Sequence, residues 1–241
     1  MTELARALQG AQDGWILEDA EWIAAAGGVH ELELALKASE DGRVVDVYLR
    51  CRKDLRELPA SLGRLTALRS LKLSGCFSLT ALPDLSTLVS LQELVVGGAS
   101  NSLTALPDLS ALASLRRLEL ANLPALTALP NRSSPSTLQT LSIDLCSSLT
   151  AVPDFSTLTS LQGLCVQRCS WQTMPGLVLL TSLQCLCVIN SDLTELPDLS
   201  ALTSLQELDV SHCALKALPK LPAGVKVRHT LDGFDPYAWG E

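Results

Sequence analysis

Aromatic residues are scarce, at nine of 241 positions or 4%. A core of this size must therefore be filled by aliphatic side chains. Histidine is scarcer still: His30, His212 and His229 are the three, and they stand toward the ends. A chain so poor in the commonest acid–base residue offers little for proton-transfer catalysis. No Gly-rich phosphate loop, GxSxG or HExxH motif occurs, which removes the usual signatures of nucleotide, acyl-transfer and zinc-peptidase chemistry. Cys-x-x-Cys is missing too, although there are eight cysteines, so no zinc or thiol-exchange motif is formed. There is no basic block either. With a net charge of −8 and a pI near 4.9, the chain is a poor ligand for nucleic acid or anionic lipid, both of which demand Lys/Arg neutralisation. No apolar run is long enough to span a membrane. The opening "MTELARALQGAQDGWILEDAEW" has no cationic n-region followed by an apolar h-region, so a cytoplasmic location is expected.

What is abundant is a nine-residue phrase. "SLTALPDLS" stands at 78–86 and again at 102–110, with near copies at 148–156 and 192–200. Its prolines, Pro59, Pro83, Pro107, Pro130, Pro153, Pro175, Pro197 and Pro219, are spaced by 24, 24, 23, 23, 22, 22 and 22 residues. A leucine-rich period of this length is the mark of a stacked solenoid. After each proline, apolar residues recur every third position, as in Leu85, Leu88 and Leu91 or Leu109, Leu112 and Leu115. That spacing keeps one face inward on a tight, 3₁₀-like turn. The pattern then switches to alternation in "LQELVV", "LRRLEL", "LQGLCV" and "LQELDV", which predicts a short strand with one buried face. Proline forbids strand continuation at the corner, and the following Asp84, Asp108, Asp154 and Asp198 can accept hydrogen bonds from amides of the next turn. "NRSSPSTLQ" (131–139) lacks the inward leucines, so an irregular convex segment is expected there.

The strings "LRSLKLSGC" (68–76), "LQTLSIDLC" (138–146), "LQGLCVQRC" (161–169) and "LQELDVSHC" (205–213) resemble the leucine-rich repeat consensus, with Cys at its Asn/Cys position. "SLTALPDLSTLVSLQELVV" resembles the repeats of plant intracellular immune receptors and of some bacterial effectors. The resemblance runs from 44 to 229. It implies an α/β leucine-rich repeat solenoid, with a curved parallel sheet, short helical or 3₁₀ convex segments and a cap at each end. Residues 1–43 are assigned to a helical and hairpin N-terminal cap, with Trp15 and Trp22 available to cover the first repeat. "VHELELAL" and "RVVDVYLR" form the hairpin, whose second strand begins the parallel sheet. Residues 230–241 are assigned to a C-terminal cap carrying Phe234, Tyr237 and Trp239.

In such a fold the outward strand positions are free to specify a partner. They form three ladders. The central one is Tyr48, Lys72, Val95, Glu119, Ser142, Cys165, Cys187 and Asp209. Beside it run Asp46, Ser70, Glu93, Arg117, Thr140, Gly163, Cys185 and Glu207. The third is Arg50, Ser74, Gly97, Ala121, Asp144, Gln167, Ile189 and Ser211. Charge sits toward both ends, with Glu207 and Asp209 making an acidic end and small residues in the middle. The candidate partner-binding residues are Tyr48, Lys72, Glu93, Arg117, Glu119, Asp144, Gln167, Arg168, Asn190, Glu207 and Asp209. Cys76, Cys146, Cys169 and Cys213 fall on the consensus position, where a thiol packs against the turn and donates weakly to backbone carbonyls. Cys165, Cys185 and Cys187 should cluster on the concave face.

These readings lead to a non-catalytic protein-interaction module, in signalling or recognition, that binds a protein or peptide through its concave face. No cofactor is required, and a monomer is the expected state. Two alternatives stand beside it. One is an effector or stress-response protein whose activity lies in the N-terminal segment. The other is a thiol-dependent metal or redox role for Cys165, Cys185 and Cys187, since Cys-x-Cys on a strand puts both thiols on one face.

Overall fold

The computed structural model describes residues 32–39, 43–51, 56–58, 60–98, 102–129, 135–150, 152–153 and 155–229. Trp15, Trp22, Phe234, Tyr237 and Trp239, on which both expected caps depend, lie outside them, as does the N-terminal segment of the effector alternative.

Alternation of apolar and polar residues over five positions makes short strands, and their stacking makes one ten-stranded sheet in strict sequence order. The strands are β1 (Leu32–Ala38), β2 (Val44–Cys51), β3 (Ser70–Ser74), β4 (Glu93–Gly97) and β5 (Arg117–Ala121). They continue as β6 (Thr140–Asp144), β7 (Gly163–Gln167), β8 (Cys185–Ile189), β9 (Glu207–Asp209) and β10 (Lys226–Arg228). β1 and β2 pair antiparallel, as the hairpin reading requires, and every later pair is parallel. β2 therefore ends the hairpin and begins the solenoid. The architecture is a leucine-rich repeat solenoid.

The core is a set of columns, one aliphatic residue per repeat. Leu71, Leu94, Leu118, Leu141, Leu164, Leu186 and Leu208 form one column from the strands, and all are buried. Leu85, Leu109, Phe155, Leu177 and Leu199 form another from the convex side. Each buried leucine is worth about 1.5–3 kcal/mol of transfer free energy, yet no single repeat could bury its own.

The convex side is less helical than expected. Among the described residues, only Ala60–Arg64, Phe155–Thr157 and Leu177–Leu179 form 3₁₀ helix. Elsewhere two linked turns do the same work: Leu88 N–H donates to Leu85 O and Leu91 N–H to Leu88 O, both at 2.9 Å. The period of three survives because each turn closes an i to i+3 bond. The segment before β6 obeys it as well. Pro135 is buried in the inward slot, and Leu138 N–H donates to its carbonyl at 3.0 Å. The expectation of irregularity is corrected over 135–139, because proline needs only its carbonyl and its apolar ring to serve there.

Three of the four corner aspartates act as expected, and the fourth, Asp154, lies outside the described residues. Asp84, Asp108 and Asp198 accept the amide of the serine two residues on, at 2.9, 2.8 and 2.9 Å, an Asx-turn that fixes the chain's change of direction. At the other corner, just past each strand, the backbone enters the left-handed region. Gly75, Gly98, Asn122, Leu145, Arg168, Asn190 and His212 all have positive φ. Glycine and asparagine tolerate this conformation at little cost, whereas leucine does not.

Candidate functional site

Because the strands are parallel and in register, outward residues at equivalent positions become neighbours. The register pairs Tyr48 with Lys72, then Val95, Glu119, Ser142, Cys165, Cys187 and Asp209 in succession. It likewise aligns Asp46, Ser70, Glu93, Arg117, Thr140, Gly163, Cys185 and Glu207. Of the third ladder, Arg50 pairs with Ser74, and Gly97, Ala121, Asp144, Gln167 and Ile189 are in register in succession. Parallel rungs lie about 4.8 Å apart, close enough for the side chains to engage one another.

The N-terminal half is a charge network. Glu93 receives Lys72 Nζ at 2.8 Å, Ser70 Oγ at 2.9 Å and Arg117 Nε at 3.5 Å. Arg117 Nη2 also reaches Glu119 Oε2 at 2.9 Å. Burial by itself would raise the Glu93 pKa. The hydrogen bonds from Lys72 and Ser70, with the Lys72 and Arg117 charges, outweigh it and hold the carboxyl below its ordinary value. Four of the candidate residues, Lys72, Glu93, Arg117 and Glu119, thus satisfy each other. Tyr48 stands at the open end of the network with 40% of its surface exposed.

The middle of the face is a hollow. A cavity of about 190 Å³ opens among Arg117, Glu119, Ser142, Gly163, Cys165 and Cys187. Small side chains make it, Gly163 above all. A Cβ on that residue would meet Thr140 Cγ2 at 3.5 Å, an ordinary contact. The glycine is therefore not demanded by backbone geometry, and what it provides is space. Gln162 and Gln184 complete the rim. They belong to a series, Gln92, Gln139, Gln162, Gln184 and Gln206, whose backbones join in chain with the Arg116 and Arg69 peptides. The "LQ" repeated before β4, β6, β7, β8 and β9 was the available signal for this rim.

Asp144 and Arg168 form a two-pronged pair, Nε to Oδ1 at 2.9 Å and Nη2 to Oδ2. Arg168 and Asn190 lie off the strands, at the left-handed corners, so they border the face. Leu145, beside this pair, is exposed and also left-handed. Its place one residue after the alternating pattern gave no hint of either property.

The C-terminal end differs from the expectation of an open acidic surface. Asp209 is 4% exposed. Its Oδ1 accepts Ser211 N–H at 3.0 Å and Ser211 Oγ–H at 2.6 Å, so the side chain folds onto its own backbone instead of facing solvent. Its Oδ2 is buried and accepts no hydrogen bond from the described residues. Cys187, Ile189 and Ser211 are buried with it. Glu207 stays half-buried with Lys226 Nζ 3.8 Å away.

The consensus cysteines pack as expected. Cys76, Cys146 and Cys169 are buried and Cys213 half-buried. Their thiols reach Ser74 O at 3.7 Å, Asp144 O at 3.5 Å, Gln167 O at 3.2 Å and Val188 O at 3.1 Å. Burial pushes Cys146 up to about 12 and Cys169 up to about 11, so both are inert thiols. Cys185 is likewise pushed up to about 12 by burial. Cys165 moves the other way. A hydrogen bond from the Cys187 thiol lowers it, burial opposes, and Gln167 Nε2–H at 3.3 Å lowers it further. Cys187 is raised by that same interaction. Among the described residues no three His, Cys, Asp or Glu side chains converge as a metal site, so the three concave thiols are not assembled as a metal centre.

The fold has solved counterparts. The leucine-rich repeat domain of the type III effector XopL is 19% identical, with a TM-score of 0.54, over 94% of this chain and 93% of that one. YopM from Yersinia enterocolitica is 28% identical, with a TM-score of 0.45, over 77% of this chain and 42% of that one. No protein-family model matches the chain, and no curated protein matches it either. Among the described residues, no helix is long and apolar enough to cross a membrane.

Proposed function

We propose that this solenoid is a non-catalytic recognition module that binds a protein or peptide segment across its concave face, centred on the hollow at Gly163. One observation carries the reading. Column after column of inward positions repeats the same aliphatic residue, while the outward rungs between them vary from Lys72 to Glu119 to Ser142. A scaffold that needed only to stack would have no use for such variety. The hollow combines a charged wall, Arg117 with Glu119, and a floor of small side chains. That combination suits an apolar side chain flanked by polar backbone, as in an extended peptide, because apolar contact supplies affinity while the rim supplies orientation. Tyr48, Lys72, Glu93, Arg117, Glu119, Asp144 and Gln167 line the route to it. Arg168, Asn190 and Glu207 border it. A reducing compartment such as the cytosol suits a chain in which Cys76, Cys146, Cys165, Cys169, Cys185, Cys187 and Cys213 form no disulfide.

The test is an affinity capture from native lysate read by mass spectrometry with four proteins: wild type, Gly163→Trp, Glu119→Arg/Gln167→Arg, and Leu179→Arg on the convex side as control. Proteins retained by wild type and by Leu179→Arg should be lost from both concave variants, with circular dichroism unchanged. Identical capture by all four would refute concave-face binding.

A further inference from the structure

The hollow also holds a thiol pair that partner recognition does not require. Cys165 on β7 and Cys187 on β8 are direct register partners, and both line the cavity. Outward side chains of parallel partners share one face, and their Cα separation of about 4.8 Å lies within the range of about 4.4–6.8 Å that a disulfide spans. Gln167 Nε2–H donates to Cys165 Sγ at 3.3 Å, so the sulfur has a donor placed to stabilise negative charge. On the next rung, Asp209 follows Cys187. It is an almost wholly buried carboxylate whose Oδ2 meets no donor among the described residues, an arrangement costly enough to need a reason.

We propose that Cys165 and Cys187 form a peroxide-reactive pair, in which Cys165 is the attacking thiol, Cys187 the resolving one, and Asp209 the acceptor of the resolving thiol's proton. The Cys165 thiolate attacks one oxygen of hydrogen peroxide and the O–O bond breaks. Cys165 becomes a sulfenic acid, and the departing hydroxide takes the proton that Cys165 had lost, giving water. Cys187 sulfur then attacks the Cys165 sulfur. Its proton passes to Asp209 Oδ2, the S–O bond breaks, and the leaving hydroxide recovers that proton as a second water. Two thiols and one peroxide give one disulfide and two waters. The direction of the displaced thiol pKa values agrees with these roles, since Cys165 is lowered while Cys185 and Cys187 are raised.

The experiment treats the reduced, folded full chain with stoichiometric hydrogen peroxide. Intact mass spectrometry reads the loss of two hydrogens, and fragmentation without reduction locates the bond. The first product should be the Cys165–Cys187 disulfide. In Cys187→Ser, the sulfenic-acid reagent dimedone should label Cys165. In Cys165→Ser, peroxide consumption should fall to that of the unreactive thiols. Asp209→Asn should leave the first step unchanged and slow disulfide closure by about a hundredfold, the low end of general-base catalysis. If that variant does not fold, the two serine variants carry the test. A first disulfide elsewhere, dimedone on another cysteine first, or wild-type peroxide consumption by Cys165→Ser overturns the pair. Unchanged closure in a folded Asp209→Asn overturns the proton transfer.

Discussion

Trp171 occupies a slot that leucine fills in neighbouring repeats: Leu79, Leu103, Leu126, Leu149 and Leu193 stand at the same place in their phrases. Removing the exception would, on sequence grounds, regularise the repeat. The structure argues the reverse. The indole is 2% exposed, and its Nε1–H donates to Leu149 O at 2.6 Å. Its ring meets Phe155 edge-on, with centroids 6.0 Å apart and planes at 61°. Trp171→Phe keeps an apolar ring but orphans a buried carbonyl, which costs about 1–3 kcal/mol. The smaller ring leaves a void worth about another 1 kcal/mol. Trp171→Leu also forfeits the edge contact with Phe155, about 0.5–1.5 kcal/mol. Losses of about 2–4 kcal/mol for Phe, and more for Leu, follow. At about 2–4 °C per kcal/mol for a chain of this size, Tm should fall by about 4–16 °C for Trp171→Phe. Thermal and urea unfolding by far-UV circular dichroism would measure both variants. If each stays within about 0.5 kcal/mol of wild type, the range of ordinary surface changes, the reasoning from the indole's hydrogen bond and packing is refuted.

Two further predictions follow from the same geometry. Leu145 holds φ at 53° where Asn122 and Asn190 stand in other repeats. Leu145→Asn should therefore stabilise by about 1 kcal/mol, seen as a rise in Tm, whereas Leu145→Val should lower it. A lower Tm for the Asn variant would contradict the strain argument. Glu93 has a native pKa below its ordinary 4.5. Its contribution is therefore complete above that ordinary value and is lost as pH falls through the lowered native one. Glu93→Gln should flatten the decline of stability below pH 4.5 and cost least at the most acidic pH. An unchanged acid slope, followed by urea midpoints, would show that the Lys72–Glu93–Arg117 network does not stabilise the fold.

The sequence by itself determined the period, the direction of each residue and the parallel order. These are local consequences of a repeated phrase. Leucine at every third position and then at every second leaves a repeat one way to bury its side chains, and identical phrases leave neighbours one way to stack. The ladders of outward residues were legible for that reason, down to the pairing of Cys165 with Cys187. The tertiary structure alone decided which outward residues are available. Glu93 reads as a free charge until Lys72 and Arg117 reach it from the rungs on either side. Asp209 reads as an exposed acid until its carboxylate turns onto Ser211 and is buried. Pro135 could be known as a substitute for an inward leucine only once its ring was seen in the core. Gly163 declares its role through the space it leaves. Stacking direction is set by the pattern of apolar residues along one repeat, whereas burial, pairing and hollows arise between repeats, where side chains separated by 22 to 24 positions meet.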